Sequence, residues 1–354
     1  MLSIYNEQDI ELLRRETSLQ PHRIKLFLRS FFKNAETPQQ ALEQLPSSAR
    51  SLFLQKMKFQ TLTLEKGQDS TIDAATKLLF KTEDGHWIES VILRPKTGRT
   101  SLCISSQIGC ACACEFCATG SMGFIRNLTQ SEILDQVILA RRFLKKENRT
   151  LRNIVFMGMG EPLQNMEALT SAIQILSSPQ FFYYSPKRIM ISTVGIPAAM
   201  LQFSSQFPQI RLALSLHSAQ QEIREKLIPI AKTQTLEKIQ SALKQITKKS
   251  PVMIEYLMLA GINDDSEAAS ALIQYLEGIP AHINLIPYNS IDGNPLKGTP
   301  KKEQKIFAEK LKVAGFATTL RYSFGQDISA ACGQLAQKIA KKTDKESHII
   351  FFEK

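Results

Sequence analysis

Four of the six cysteines fall within eight residues: Cys110, Cys112, Cys114 and Cys117. That crowding suits metal ligation better than disulfides in a reducing compartment. Cys110, Cys114 and Cys117 follow a C-x3-C-x2-C spacing, in which three thiolates of one short loop can each take a corner of a cubane iron-sulfur cluster. The fourth iron is then left without a protein ligand. Such clusters are ordinarily held by four cysteines, so an open iron is available to a small chelating molecule, and the amine and carboxylate of S-adenosylmethionine suit it. Phe116, in the same loop, would shield the cluster. The competing reading is a structural zinc site with Cys112 as fourth thiolate. Zinc sites usually draw on two distant C-x2-C hooks, whereas one is present here, and C-x-C-x-C sets neighbouring side chains awkwardly for one tetrahedron.

The loop needs a frame. Beyond Thr100, apolar runs alternate with amphipathic stretches: SLCISSQ, NIVFMGMGE, RIMISTVG, RLALSLH, VMIEYLMLAGIND and HINLIPYN. That rhythm predicts an α/β fold, a partial (β/α)6 barrel with parallel strands; an open doubly wound sheet fits the same spacing. Thr129 and Glu132 form a capping box at the start of the first intervening helix. In a parallel barrel the active site gathers at the carboxyl ends of the strands. The candidates for cofactor contact there are Gly160, Glu161, Ser192, Ser215, Leu216, His217 and Asn289, with Asn263-Asp264 at another strand end. Gly158 and Gly160 would let a ligand approach the backbone closely. Each polar candidate also has an ordinary reading as a strand-end group or helix cap.

Around this core the sequence predicts three further segments. Residues 1–60 read as a small helical accessory domain for RNA binding, 61–99 as a connecting β segment with turns at Gly67 and Asp84-Gly85, and 326–354 as a carboxy-terminal helix with a basic tail, leaving 100–325 for the barrel. Lys and Arg exceed Asp and Glu by 44 to 33, a net charge of +11, which favours a polyanion such as nucleic acid. The excess gathers at Arg14, Arg15, Arg23, Lys25, Arg29 and Lys33, at Arg141, Arg142, Lys145 and Lys146, and near Lys338, Lys341 and Lys342. No secretory signal and no apolar run of membrane length is visible, so a cytoplasmic location is expected and no membrane partner.

The segment CISSQIGCACACEFCATGSMGFIRNLT, followed in order by FMGMGEP, ISTVG, LSLHS, HINLIPYN and DISAACGQL, closely resembles the RlmN/Cfr family of radical S-adenosylmethionine RNA methyltransferases. The match runs from about Glu89 to Leu335 and is nearest the RlmN branch. The resemblance implies a 4Fe-4S cluster, S-adenosylmethionine and methylation of an adenine ring carbon in 23S rRNA. Carbon 2 is the RlmN-like position, with a tRNA anticodon-loop adenine as a further substrate; carbon 8 is the Cfr-like alternative. It also implies a reducing donor such as flavodoxin or ferredoxin. Adenine carbons 2 and 8 are poor nucleophiles toward a methyl cation donor, so a radical route is needed. In the resembling family one cofactor molecule methylates a cysteine, matching Cys332. A radical from a second molecule removes hydrogen from that S-methyl group, and the resulting carbon radical adds to adenine. Glu89 matches the acceptor of the ring proton, and Cys103 the cysteine that releases product through a transient disulfide with Cys332. Arg126 and Asn127 are candidates for RNA or cofactor contact. From other classes, a zinc-stabilised RNA-binding protein without catalysis and a radical enzyme for small molecules compete.

Overall fold

The computed structural model describes residues 1–247 and 251–336 and, of the tail, the strand Ile349–Phe351. One sheet of eleven strands organises the chain. In sequence order these are β1 (Leu62–Asp69), β2 (Ala75–Thr82), β3 (Trp87–Leu93), β4 (Thr100–Cys103), β5 (Leu151–Phe156), β6 (Ile189–Thr193), β7 (Arg211–Ser215), β8 (Val252–Met258), β9 (Ala281–Pro287), β10 (Ala317–Leu320) and β11 (Ile349–Phe351). Strands β4 to β10 pair in parallel and in strict sequence order. A doubly wound sheet reverses its strand order at a switch point. No reversal occurs here, so the sheet winds in one direction as an open partial barrel, and β10 adds a seventh parallel strand to the six expected. The central strands are covered on both faces, as parallel strands must be; in β8 only Met253 is less than fully buried.

Strands β1, β2 and β3 form antiparallel neighbours that join the same sheet, because β3 pairs antiparallel with β4. The Asp84-Gly85 turn is present between β2 and β3, with Gly85 at φ +85 and the Thr82 N–H donating to the His86 carbonyl at 2.8 Å. The turn expected at Gly67 is absent: Gly67 lies inside β1, and a Cβ there would stand 2.9 Å from the Phe143 ring. Glycine is required at that point by helix packing rather than by chain reversal.

The first sixty residues contain α1 (Glu7–Glu16), α2 (Pro21–Leu28), α3 (Pro38–Leu42) and α4 (Ser47–Lys56), with a π turn over Arg29–Lys33 continuing α2. Phe27, Phe31, Phe32 and Phe53 are fully buried at their centre. The segment docks on α5 (Gln130–Lys145), whose amino end carries the Thr129–Glu132 capping box and whose Arg142 guanidinium lies 5.0 Å from the Phe31 ring centroid. Asp135 of α5 accepts from the Tyr5 hydroxyl (2.6 Å), Thr61 Oγ1 (2.8 Å), the Leu62 N–H (2.9 Å) and the Thr61 N–H. Arg141 donates to the Phe32 and Lys33 carbonyls and Arg142 to that of Glu36, so these cations close the end of the π turn. Among the described residues no helix is long and apolar enough to cross a membrane. Cys332 lies in a succession of turns rather than in the expected helix, and Ile349–Phe351, in the same stretch, is a strand; the basic tail near Lys338, Lys341 and Lys342 falls outside the described residues.

Candidate active site

The cysteine loop leaves β4 and folds over the carboxyl end of the sheet. It is fixed by its main chain: the Cys110 N–H donates to the Gly123 carbonyl (2.9 Å) and that of Cys117 to Cys114 (3.1 Å). Gly120 packs so tightly against it that a Cβ would stand 2.8 Å from the Cys114 nitrogen. Cys110, Cys114 and Cys117 pack in one apolar cluster with Phe116, Leu227 and Leu257. Burial raises the Cys114 and Cys117 thiols, and the neighbouring cysteines add to this, as expected of several thiols crowded without a cation. Cys112 is buried with its thiol hydrogen-bonded to Cys110, whose own ionisation is favoured by that bond. Among the described residues no three His, Cys, Asp or Glu side chains close around a single ion. The donor set, three thiols on one loop beside a cavity, fits a cluster with one open iron, and these three would hold it.

Phe116 meets His217 edge-on, ring centroids 4.7 Å apart. His217 sits at φ +57 after β7, and its Nδ1 accepts the Leu257 N–H at 3.0 Å. Burial pushes its pKa down to about 3, so the ring is neutral and carries its proton on Nε2. Beneath it the fully buried Arg224 donates to the Leu216 and Val194 carbonyls; burial lowers its pKa to about 10.

A cavity of about 150 Å³ opens beside Cys117, and Gly160, Glu161, Ser192, Ser215 and His217 line it. Ser192 and Ser215 sit side by side on adjacent strands, hydroxyls 3.2 Å apart. The Glu161 carboxylate accepts the Leu163 N–H (3.0 Å) and the Val194 N–H (2.8 Å), and burial raises its pKa to about 7. Gly160 is at φ +96 and a Cβ on it would meet the Gln107 side chain at 2.5 Å, while one on Gly158 would meet the Ile104 backbone at 2.7 Å. Both glycines therefore answer a packing demand from the protein itself, although both also line the cavity. Leu216 is buried and contributes its backbone, donating to the Glu255 carbonyl. Asn289 is not among the lining residues: it donates to the Cys332 carbonyl (3.1 Å) and accepts from Gln326 (2.7 Å). Arg126 grips Asp84 and Glu132, and Asn127 accepts from Gln107, so both side chains are committed within the fold.

A second, smaller cavity of about 60 Å³ is lined by both Cys103 and Cys332. The two cavities share a wall of Cys117, Met157, Gly158, Ile286, Arg321, Cys332 and Gly333. Of the six cysteines Cys332 alone is exposed, and it faces these two cavities, whose walls still withdraw its sulfur from bulk water. Its loop is stitched to the cluster loop: the Ala118 N–H donates to the Gly333 carbonyl (2.7 Å) and Thr119 Oγ1 to that of Leu335 (2.6 Å). Asp327 fastens the same loop to Ser70 and Thr71. Burial raises both the Cys103 and Cys332 thiols, and Arg321 opposes the rise in each. Glu89 is buried in β3, with the Lys77 ammonium 3.3 Å from Oε1 and the Ala336 N–H donating to Oε2 at 3.0 Å.

Sequence reasoning passed over Arg321, Glu255 and Asn284, which form a chain across β8, β9 and the end of β10, buried at Glu255 and Asn284 and half-buried at Arg321. Asn284 donates to Glu255 Oε1 (3.0 Å) and Arg321 to Oε2 (3.3 Å). A glutamate inside the apolar run VMIEYLM was the available signal, since buried charges need partners.

A three-cysteine loop at the head of the first parallel strand of an open, singly wound β/α sheet defines a radical S-adenosylmethionine enzyme, and residues 104–273 match the radical SAM superfamily. Enzymes of this class use a 4Fe-4S cluster and S-adenosylmethionine. The chain is 45% identical to a probable RNA methyltransferase of Rhodopirellula baltica over 99% of its own length and 94% of the relative's. It is 39% identical to a probable dual-specificity RNA methyltransferase RlmN of Thermus thermophilus, over 85% and 84%. A radical SAM methyltransferase structure from Sphaerobacter thermophilus superposes with a TM-score of 0.90 at 33% identity, covering 95% of this chain and 99% of that one. The chain belongs to the RlmN family of RNA methyltransferases.

Proposed function

We propose that this enzyme methylates carbon 2 of an adenine in 23S rRNA, and of an adenine in tRNA, through a methyl group carried on Cys332. The relatives called dual-specificity support two RNA substrates. The observation that carries the route is the position of Cys332, in the wall shared by the cavity beside the cluster cysteines and the one that holds Cys103. When bound, the cluster and S-adenosylmethionine supply a transferable methyl in one use and a hydrogen-abstracting 5'-deoxyadenosyl radical in the other.

The chain's own residues then have distinct tasks. Arg321 favours the Cys332 thiolate as methyl acceptor, and the Asn289, Gly333 and Leu335 contacts hold the carrier loop against the cluster loop. The Cys103 thiolate attacks the Cys332 sulfur, forming the disulfide and breaking the carbon–sulfur bond to the base. The methylene carbon keeps the electron pair and is protonated to the methyl, the surplus electron of the adduct returns to the electron donor, and an external dithiol reduces the disulfide. Glu89 takes the ring proton on Oε1, the oxygen that accepts no hydrogen bond while Oε2 holds the Ala336 N–H. The target base must leave its stack to enter, and loops in RNA lower that cost.

Digesting RNA from cells with and without the gene, and separating 2-methyl- from 8-methyladenosine by mass spectrometry, tests the reading. The expected result is gene-dependent 2-methyladenosine. Gene-dependent 8-methyladenosine would transfer the chain to the carbon 8 reaction. Cys332→Ala is expected to keep the cluster and lose RNA methylation; an active variant would remove the carrier role.

A further inference from the structure

The cations inside this fold are mostly matched by carboxylates: Arg94 by Glu147, Arg126 by Asp84 and Glu132, Arg321 by Glu255. Arg224 is different. It is fully buried, and its guanidinium donates to main-chain carbonyls alone: Nε to Leu216 (3.1 Å), one terminal nitrogen to Gln234 (3.4 Å) and the other to Val194. Among the described residues no carboxylate forms an ion pair with it. Glu161, which meets the same Val194 through its N–H, has Oε2 engaged there and Oε1 on the Leu163 N–H. Carbonyl dipoles offset only part of what burying a cation costs, so a guanidinium in this position calls for an anion close by.

The cysteine loop lies over it. One turn beyond Arg224 on the helix Gln221–Leu227, Leu227 packs in one apolar cluster with Cys112 and Cys114, and its carbonyl accepts the Glu115 N–H at 3.0 Å. Burial raises the Cys114 thiol, Cys117, Cys110 and Glu161 add to the rise, and Arg224 opposes it. Arg224 lines neither cavity, so a diffusible anion does not reach it. A cluster held by three thiolates is an anion fixed behind the cavity wall, and its negative charge grows by one when it accepts an electron. Charges buried in protein act on each other more strongly than charges in water. Lys226 and Lys232, in the same stretch of chain, are exposed, where solvent and salt screen them.

We propose that Arg224 is the buried counter-charge of the iron-sulfur cluster, favouring the reduced state and so raising its reduction potential. It acts through its field across the Leu216 and Val194 peptides, and the electron comes from an external one-electron reductant. The inference rests on the cluster, not on which RNA or which adenine carbon is methylated.

The test uses full-length, cluster-loaded Arg224→Gln, Arg224→Met and Arg224→Lys without S-adenosylmethionine or RNA. Each is titrated anaerobically with dithionite and redox mediators, and the reduced cluster is counted by electron paramagnetic resonance. Iron per chain and circular dichroism report loading and folding. In the two neutral variants the ratio of reduced to oxidised cluster at a fixed potential should fall at least about tenfold, a midpoint about 59 mV more negative for one electron. Arg224→Lys keeps the charge and loses the planar fork, so its ratio should stay within about threefold of the parent. An unchanged midpoint in fully loaded neutral variants would overturn the proposal. A lysine variant shifted as far as the glutamine one would do the same, because the carbonyl contacts would then be the cause. Neutral variants that fail to hold iron where the lysine variant holds it would support the pairing, and a lysine variant that also fails would sink it. RNA is absent throughout, so failure here leaves the carbon 2 reading standing.

Discussion

Replacing Asp135 by alanine should loosen the joint between the amino-terminal helices and the barrel. The carboxylate accepts from four donors drawn from Tyr5, Thr61 and Leu62. The alanine would leave the Tyr5 hydroxyl and two main-chain N–H groups without acceptors, and a buried unsatisfied donor costs about 1–3 kcal/mol. Thr61 is half-buried, so water can meet part of its need. Burial also pushes the Asp135 pKa up despite its donors, so losing the carboxylate returns some desolvation cost. The net loss should be about 3 kcal/mol, a large part of a typical domain's margin. Asp135→Asn keeps an acceptor and offers its amide to Tyr5, so it should lose nearer to about 1 kcal/mol. Urea unfolding followed by circular dichroism and by Trp87, the chain's single tryptophan, gives the values. Iron content should be unaffected, because the network does not touch the cysteine loop. A loss under about 1 kcal/mol for the alanine variant, or no coupling between Asp135→Asn and Tyr5→Phe in a double-mutant cycle, would refute the account.

Gly120→Ala should lower iron per chain with the secondary structure intact, since its Cβ would press on the Cys114 backbone at 2.8–2.9 Å; elemental analysis and circular dichroism check this. Arg321→Gln should raise the apparent pKa at which Cys332 is alkylated, with Arg321→Lys partly restoring it, because Arg321 opposes burial and Glu255 at that thiol; peptide mapping against pH reads it out, with Cys103 and Cys117 as the neighbouring thiols to resolve. In iron-free protein, Glu161 is raised from 4.5 to about 7, so its contribution is fully present below pH 4.5 and fades as pH rises toward 7. Unfolding free energies across that window should fall by at most about 1.4 kcal/mol per pH unit from this group, and Glu161→Gln should flatten the decline.

What sequence reveals here is what depends on near neighbours. The capping box at Thr129 and Glu132 spans three residues, and the alternation of apolar runs with helices follows from covering a parallel sheet on both faces. The cysteine loop was legible because its ligands share one short segment. Gly67 was misread because a glycine in a strand and one in a turn look alike until Phe143 arrives from 76 positions away in the chain. Cys332 was placed on a helix because nothing near it announces the anchors at Asn289, Ala118 and Thr119. Arg126 pairs with Asp84 across 42 residues, and no periodicity connects them. The order of the strands, which distinguishes a barrel from a doubly wound sheet, is likewise a property of pairing.

The hairpin of β3 and β4 fixes two of the positions proposed to react with a single register. Val91 pairs with Cys103, and two residues on, the Glu89 carbonyl accepts from Ser105 Oγ at 2.6 Å. A one-residue slip between the two strands would turn one of them over and put Glu89 and Cys103 on opposite faces. The acid and the thiol are thus inherited as one unit, and moving this chemistry onto another radical enzyme would require transplanting the hairpin whole rather than two side chains.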